Sequence, residues 1–249
     1  MLHALVFIFG LIVGSFLNVV IYRTYKGVGF IRGRSYCPCC KHHLETIDLI
    51  PVVSFLLLRG RCRWCGKPIS RQYPLVELAT GGSFLGLFTV YGPSPEFLVS
   101  MLYAAVLIVV FVQDLRYFVI LDRISVPALI AACVLSPLVF KVSLTDMAIG
   151  IGVGGGFFLL QYALSRGKWI GGGDIRLGAL MGAMLGWELA LIALSLAYAA
   201  GALTALALVA LRKKSWGSHL PLGTFLSAAT FVSMLFREDL LYWYWVRLF

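Results

Sequence analysis

Apolar stretches long enough to cross a bilayer recur along most of the chain, and the charges collect in the short polar segments between them. The first runs from about His3 to Tyr22. A polar segment, Arg23 to Arg71, separates it from a second run over Tyr73–Val90, which closes at the turn Gly92-Pro93-Ser94-Pro95-Glu96. Three more runs are predicted over Phe97–Gln113, Ile120–Phe140 and Met147–Ser165, with Lys141 to Asp146 as the turn between the last two. The fifth is rich in glycine (Gly150, Gly152, Gly154, Gly155, Gly156), which suits close approach between helices. After the polar Arg166 to Gly173, a long apolar stretch divides into Asp174–Ala193 and Leu194–Leu211, although little punctuation marks the join. An eighth run, Leu220–Phe236, precedes a tail rich in Trp and Tyr that begins at Arg237-Glu238-Asp239. The pattern predicts an all-α polytopic membrane protein with about eight transmembrane helices.

Composition agrees: 60% hydrophobic and 13% charged residues exclude an ordinary soluble domain. The first run has no basic region before it and no small-residue cleavage site, so it reads as a retained helix. The net charge of +10 is unevenly spread. Arg23 to Arg71 holds ten Lys/Arg against only Glu45 and Asp48, which makes that segment cytoplasmic by the positive-inside rule. Eight spans then place 18 of the 21 Lys/Arg inside, Arg212-Lys213-Lys214 among them, and leave only Lys141, Arg237 and Arg247 outside. Because these charges sit beside membrane spans, the expected partner is the lipid bilayer, and no nucleic acid is expected.

Acids at the membrane face are costly and signal function. Asp114 ends the third span and Asp174 starts the sixth, within Gly171-Gly172-Gly173-Asp174. The topology puts both at the cytoplasmic face, one helical hairpin apart. If they meet, two carboxylates in a low-dielectric site cannot both ionise easily, and one keeps a proton. An aspartic protease needs that arrangement: one carboxylate takes a proton from water while the other protonates or holds the carbonyl oxygen. Asp174, at a helix start, is expected to be the ionised member and Asp114 to hold the shared proton. The plainer reading of Asp174 is a helix cap. Asp122 and Glu77 are competing inner-face acids, each with a plainer reading as the partner of Arg116, Arg123 or Arg71.

Cys37, Cys40, Cys62 and Cys65 form C-x2-C…C-x2-C with twenty-one residues between the pairs. In a reducing compartment four thiolates at this spacing suit a tetrahedral structural Zn²⁺, which would fold a loop too polar to hold a core alone. Cys39 is an extra thiol that could displace a ligand. His42 and His43 are candidate substitutes, and Cys133, within the fourth span, reads as a packing residue.

Taken together these residues resemble a known family, the type IV prepilin peptidases (prepilin leader peptidase/N-methyltransferases). Gly171 to Gly182 is similar to its GxGD signature and following helix, with Arg176 in the position usually held by Lys. Asp114 with Ile120-Leu121-Asp122 resembles the first-aspartate segment, Leu121 replacing a Pro. Gly14-Ser15-Phe16-Leu17-Asn18-Val19-Val20-Ile21-Tyr22-Arg23, Pro51-Val52-Val53-Ser54, Leu58-Arg59-Gly60-Arg61-Cys62 and Ile69 to Leu78 resemble its amino-terminal motifs, and Pro221-Leu222-Gly223-Thr224-Phe225 a late one. The resemblance implies a multi-pass enzyme of the bacterial inner membrane. It would cut the short basic leader from prepilins or pseudopilins after a glycine on the cytoplasmic side, with Asp114 and Asp174 as catalytic acids. It also implies methylation of the new N-terminus with S-adenosylmethionine, for which no donor-binding loop is recognisable. The domains expected are a first transmembrane helix (1–22), a cytoplasmic four-cysteine zinc loop (23–72), a second helix with its outer turn (73–96) and a peptidase transmembrane domain (97–249).

Rival readings make different predictions. A proton- or cation-coupled transporter would carry acids near the bilayer middle and an internal repeat. A non-catalytic zinc-loop scaffold of a secretion machine would tolerate loss of both aspartates. A GxGD protease of another family would lack the cysteine loop.

Overall fold

In the computed structural model, residues 1–31, 33–213, 215 and 219–248 are described. Lys214, expected on the inner side, lies outside the described residues, as does the side chain of Arg247. Among the described residues there are ten α-helices and no extended strand. They are α1 (Leu2–Tyr25), α2 (Val53–Leu57), α3 (Gln72–Tyr91), α4 (Pro95–Tyr117), α5 (Asp122–Val139), α6 (Leu144–Ser165), α7 (Gly172–Leu185), α8 (Trp187–Ala210), α9 (Leu222–Leu235) and α10 (Arg237–Leu248). The eight expected apolar runs appear in order as α1 and α3 to α9. Five of them, α1, α4, α5, α6 and α8, are long and apolar enough to cross a membrane, and α9 is a shorter apolar helix.

The chain forms two units, residues 1–109 and 110–249, the boundary falling within α4. In the first, α1 and α3 pack antiparallel at backbone contact. His3 meets Phe88 edge-on and Phe9 meets Phe84. A Cβ on Gly10 would stand 2.7 Å from the Gly81 Cα, and one on Gly14 equally close to the Glu77 Cα. Asn18 donates to the Tyr73 carbonyl at 3.1 Å, the interhelical bond that such a residue makes when no water is at hand. The buried Arg23 donates from the end of α1 to the carbonyls of Gly33 and Arg34, pinning the start of the polar loop.

In the second unit α7 lies against α6 along a seam of glycines. A Cβ on Gly154, Gly178 or Gly182 would overlap the backbone of the facing helix, whereas Gly152 and Gly156 face open space. Small residues therefore replace side-chain interdigitation here with direct backbone contact.

The division of the long apolar stretch differs from expectation. The chain breaks at Gly186 and not at Ala193–Leu194. Gly186 has φ +80°, a conformation glycine adopts without strain, and the carboxylate of Asp146 accepts the Trp187 N–H at 2.9 Å to cap the new helix. The local mark of the break is slight, a glycine with the acid Glu188 two residues beyond it in an otherwise apolar stretch. The aromatic tail also differs: it forms α10.

Gly178→Val is expected to destabilise the protein by about 3 kcal/mol, as forced overpacking does. Gly156→Ala is expected to change stability by less than about 0.5 kcal/mol. Thermal unfolding in detergent checks both, and equal effects would contradict the glycine seam.

Candidate functional site

Asp114 sits in the last turn of α4 and is buried. Its Oδ2 accepts the backbone N–H of Thr224 at 2.8 Å and the Thr224 hydroxyl at 3.3 Å. Thr224 is the third residue of α9, one of the orphan N–H donors of that helix start. The glycine before it is there for space: a Cβ on Gly223 would come within 3.0 Å of the Asp114 carboxylate and 2.8 Å of the Ile120 side chain.

Asp174 is the third residue of α7. Its Oδ2 accepts the Gly171 N–H at 3.0 Å, while its own N–H donates to the Gly171 carbonyl. Gly171 has no side chain to cap the helix, so the carboxylate closes the first turn alone. The capping reading and the reactive reading therefore coexist in one residue, which remains only half-buried.

Both carboxylates open onto one cleft of about 490 Å³. The α4–α5 turn, the Gly167–Gly171 loop and the approach to α9 line the rest. Asp122, the competing partner, does not reach this cleft. It forms an ion pair with Arg176, one helix turn beyond the glycines, and that partner is neither of the neighbours expected for it. Glu77 belongs to the other unit, where it is buried and accepts the Val52 N–H at 2.7 Å. Among the described residues no arginine forms an ion pair with it.

The sulfurs of Cys37, Cys40, Cys62 and Cys65 all lie within 4.8 Å of one another. Tetrahedral coordination with Zn–S near 2.3 Å separates ligand sulfurs by roughly 3.8 Å, so the set fits a thiolate-bound metal ion. The two pairs are built alike. Cys37 N–H donates to the His42 carbonyl and Cys62 N–H to the Lys67 carbonyl. The residue after each second cysteine, Lys41 and Gly66, turns the chain with φ near +65°. Isolated antiparallel bridges, Tyr36 with His43 and Arg61 with Pro68, close the two hairpins.

Cys39 is exposed and outside the cluster. His42 stacks on Trp64 at 3.9 Å, and neither it nor His43 joins the sulfurs. Cys133 lies half-buried within α5. Burial acts to raise the Cys37 thiol, but the Cys40 and Cys39 N–H groups and the adjacent sulfurs outweigh it and bring the pKa down to about 7. At Cys65 the Lys67 N–H acts downward, and desolvation with the three neighbouring sulfurs raises the pKa to about 11. Without a cation the four thiols do not ionise together, so metal binding must release protons.

Sequence reasoning missed Thr224 as the donor to Asp114, and the lining of the cleft by Ile120, Trp169 and His219. The Pro-x-Gly-Thr start of α9 was the one local signal, since a helix start offers free N–H groups. No local pattern shows which acid receives them.

Residues 8–91 match the Bacterial Peptidase A24 N-terminal domain, and residues 101–206 match the Type IV leader peptidase family. The chain is similar to the prepilin leader peptidase/N-methyltransferase of Aeromonas hydrophila, at 34% identity over 97% of this chain and 93% of the relative. It is likewise similar to that of Bacillus subtilis, at 33% identity over 97% of each. With that of Myxococcus xanthus it shares 37% identity over 73% of this chain and 56% of the relative. No solved structure matches the chain.

Metal analysis of the purified protein is expected to find zinc in stoichiometric amount, lost in Cys62→Ser and kept in Cys39→Ser. Because a bound thiolate must stay deprotonated, the metal is expected to dissociate as pH falls, which a chromogenic chelator reads directly.

Proposed function

The chain belongs to the type IV leader peptidase family, and from that premise we propose that Asp114 and Asp174 form the catalytic pair of an aspartic endopeptidase that cuts the leader from prepilins or pseudopilins. The cut follows a glycine at the cytoplasmic face of the bacterial inner membrane. The observation that supports this reading is the single cleft onto which both carboxylates open.

Two nearby carboxylates in a poorly hydrated site share one proton, and the chemistry follows from that sharing. The ionised member removes a proton from water, and the oxygen attacks the scissile carbonyl carbon. The protonated member hands its proton to the carbonyl oxygen, giving a neutral gem-diol. On collapse the C–N bond breaks, the carboxyl group that took the water proton delivers it to the leaving amine, and the other carboxylate takes a proton from a gem-diol hydroxyl as the new carboxyl group forms, so the pair ends with one proton again. The Thr224 N–H and hydroxyl fix Asp114, and the Gly171 N–H fixes Asp174, so neither carboxylate has to reorganise during the step. A membrane-anchored substrate suits the geometry expected of the pair: both acids lie at ends of apolar helices, level with the stretch where a leader would emerge from the bilayer.

The proposal includes a structural zinc ion on Cys37, Cys40, Cys62 and Cys65. When bound it supplies a tetrahedral crosslink between the two hairpins and no reactive group. It also includes N-methylation of the freed amine with S-adenosylmethionine as donor. The polar side chains at the contact of α1 and α3 have backbone partners: Asn18 donates to the Gly14 and Tyr73 carbonyls, and Glu77 accepts the Val52 N–H.

Incubation of the purified protein with a prepilin and S-adenosylmethionine, read by mass spectrometry, is expected to show loss of the leader and gain of a methyl group. Asp114→Asn and Asp174→Asn are expected to lower the cleavage rate by at least on the order of 10²–10⁴, and Asp122→Asn to keep it. Cleavage without the methyl would leave a peptidase alone. Unimpaired cleavage by either active-site variant would sink the catalytic pair.

A further inference from the structure

Leu49-Ile50-Pro51-Val52-Val53-Ser54-Phe55-Leu56-Leu57-Leu58 is an apolar run inside a loop that is otherwise basic and polar. A run of this length is too short to span a bilayer and is the size of a re-entrant or interfacial segment. It carries none of the four clustered cysteines, and the proposed peptidase gives it no task.

Two features fix where it lies. The first is its attachment. The Val52 N–H is held by Glu77, which stands five residues into α3, about 7 Å beyond its first residue at ~1.5 Å rise per residue. Glu77 in turn faces Gly14, near the middle of α1, and α1 is a helix long and apolar enough to cross a membrane. The loop therefore folds back alongside α1 and α3 to a depth within their apolar length. Val52 accepts an unusual backbone to do so, φ +61° in a β-branched residue, and such a conformation persists only where the surroundings enforce it.

The second feature is the surface left bare. Val53, Leu56 and Leu57, at helical spacing on one face of α2, are 48%, 66% and 72% exposed. Ile50 beside them is exposed as well. Neighbouring apolar residues on one face form a patch, which scattered exposed residues do not. The backbone beneath them needs little from water. Ser54 N–H donates to Ile50, Leu56 to Val52 and Leu58 to Ser54 within the segment, and Arg59 to Leu56, Gly60 to Phe55 and Arg61 to Leu58 as the chain leaves it. Irregular backbone at membrane depth requires such internal satisfaction, and Glu77 supplies the acceptor that the N–H at the Val52 turn lacks. Arg59 and Arg61 follow at once and are exposed. They are placed to meet anionic headgroups where the segment leaves the apolar layer.

We propose that residues 49–58 form a re-entrant elbow that inserts the Val53, Leu56 and Leu57 face into the adjacent lipid leaflet, latched at depth by Glu77, with Arg59 and Arg61 at the headgroups. The segment from 23 to 72 is then only in part a water-facing loop. The metal-binding hairpins on either side of the elbow are tethered to the bilayer at a third point, in addition to the ends of α1 and α3.

The test uses the full chain in nanodiscs of phosphatidylethanolamine and phosphatidylglycerol. The photo-crosslinker p-benzoylphenylalanine replaces Leu56 or Leu57 in separate variants, and Lys67, on the distal hairpin, as the control. Retained zinc reports a folded loop. Irradiation is expected to give adducts of phospholipid mass at positions 56 and 57 and none at 67. Protein adducts in their place, to a co-reconstituted prepilin or a second copy, would make the patch a protein-docking surface and overturn the proposal. Absence of lipid adducts at both positions in zinc-loaded protein would overturn it equally. Combined with the Leu57 probe, Glu77→Ala is expected to lower the lipid adduct and Glu77→Gln to restore it. An unchanged adduct in Glu77→Ala would remove the latch.

Discussion

A carboxylate taken out of water must be given hydrogen-bond donors by the protein, and a helix that starts in an apolar environment must be given acceptors for its first N–H groups. This chain solves both problems with the same bonds. Asp114 accepts from Thr224 at the start of α9, Asp174 from Gly171 at the start of α7, Asp146 from Trp187 at the start of α8, and Glu77 from Val52 at the start of α2. Each acid therefore defines where a helix begins, and each helix start fixes the rotamer of an acid. A carboxylate here is a structural part before it is a chemical one.

Two of the four differ from the others in opening onto a common cleft. Gly223, whose missing side chain leaves room for Asp114, is one condition of that meeting, and the glycine seam sets α7, which carries Asp174, directly against α6. The small residues thus act through position: they let neighbouring helices approach more closely than larger side chains would permit. Asp122 is withheld from the cleft by its bond to Arg176, so a third carboxylate close in sequence does not disturb the pairing.

The loop between α1 and α3 follows a different rule. With few apolar contacts of its own, it is organised by the cysteine cluster at its hairpins and by Glu77 at its elbow. The two hairpins share one hydrogen-bond pattern because a C-x2-C turn imposes it. The elbow is unlike them, an apolar segment held against α3 by a single carboxylate.

Much of this was legible without coordinates. Hydrophobic runs of bilayer length announced the order of the apolar helices, because a lipid-facing helix must be apolar along its whole length. The spacing of Cys37, Cys40, Cys62 and Cys65 announced a four-sulfur cluster, because tetrahedral thiolate sites demand paired ligands on tight turns. Asp114 and Asp174 stood out because an acid at a membrane helix end is costly. What the tertiary structure alone decided were the long-range partners: Thr224 for Asp114, Arg176 for Asp122, Val52 for Glu77, and the break at Gly186 that Asp146 caps. A hydrogen bond between residues 110 positions apart leaves no periodic trace in the chain. It exists only once the helices carrying its two ends are packed, and packing depends on the shapes of whole surfaces that no local pattern records.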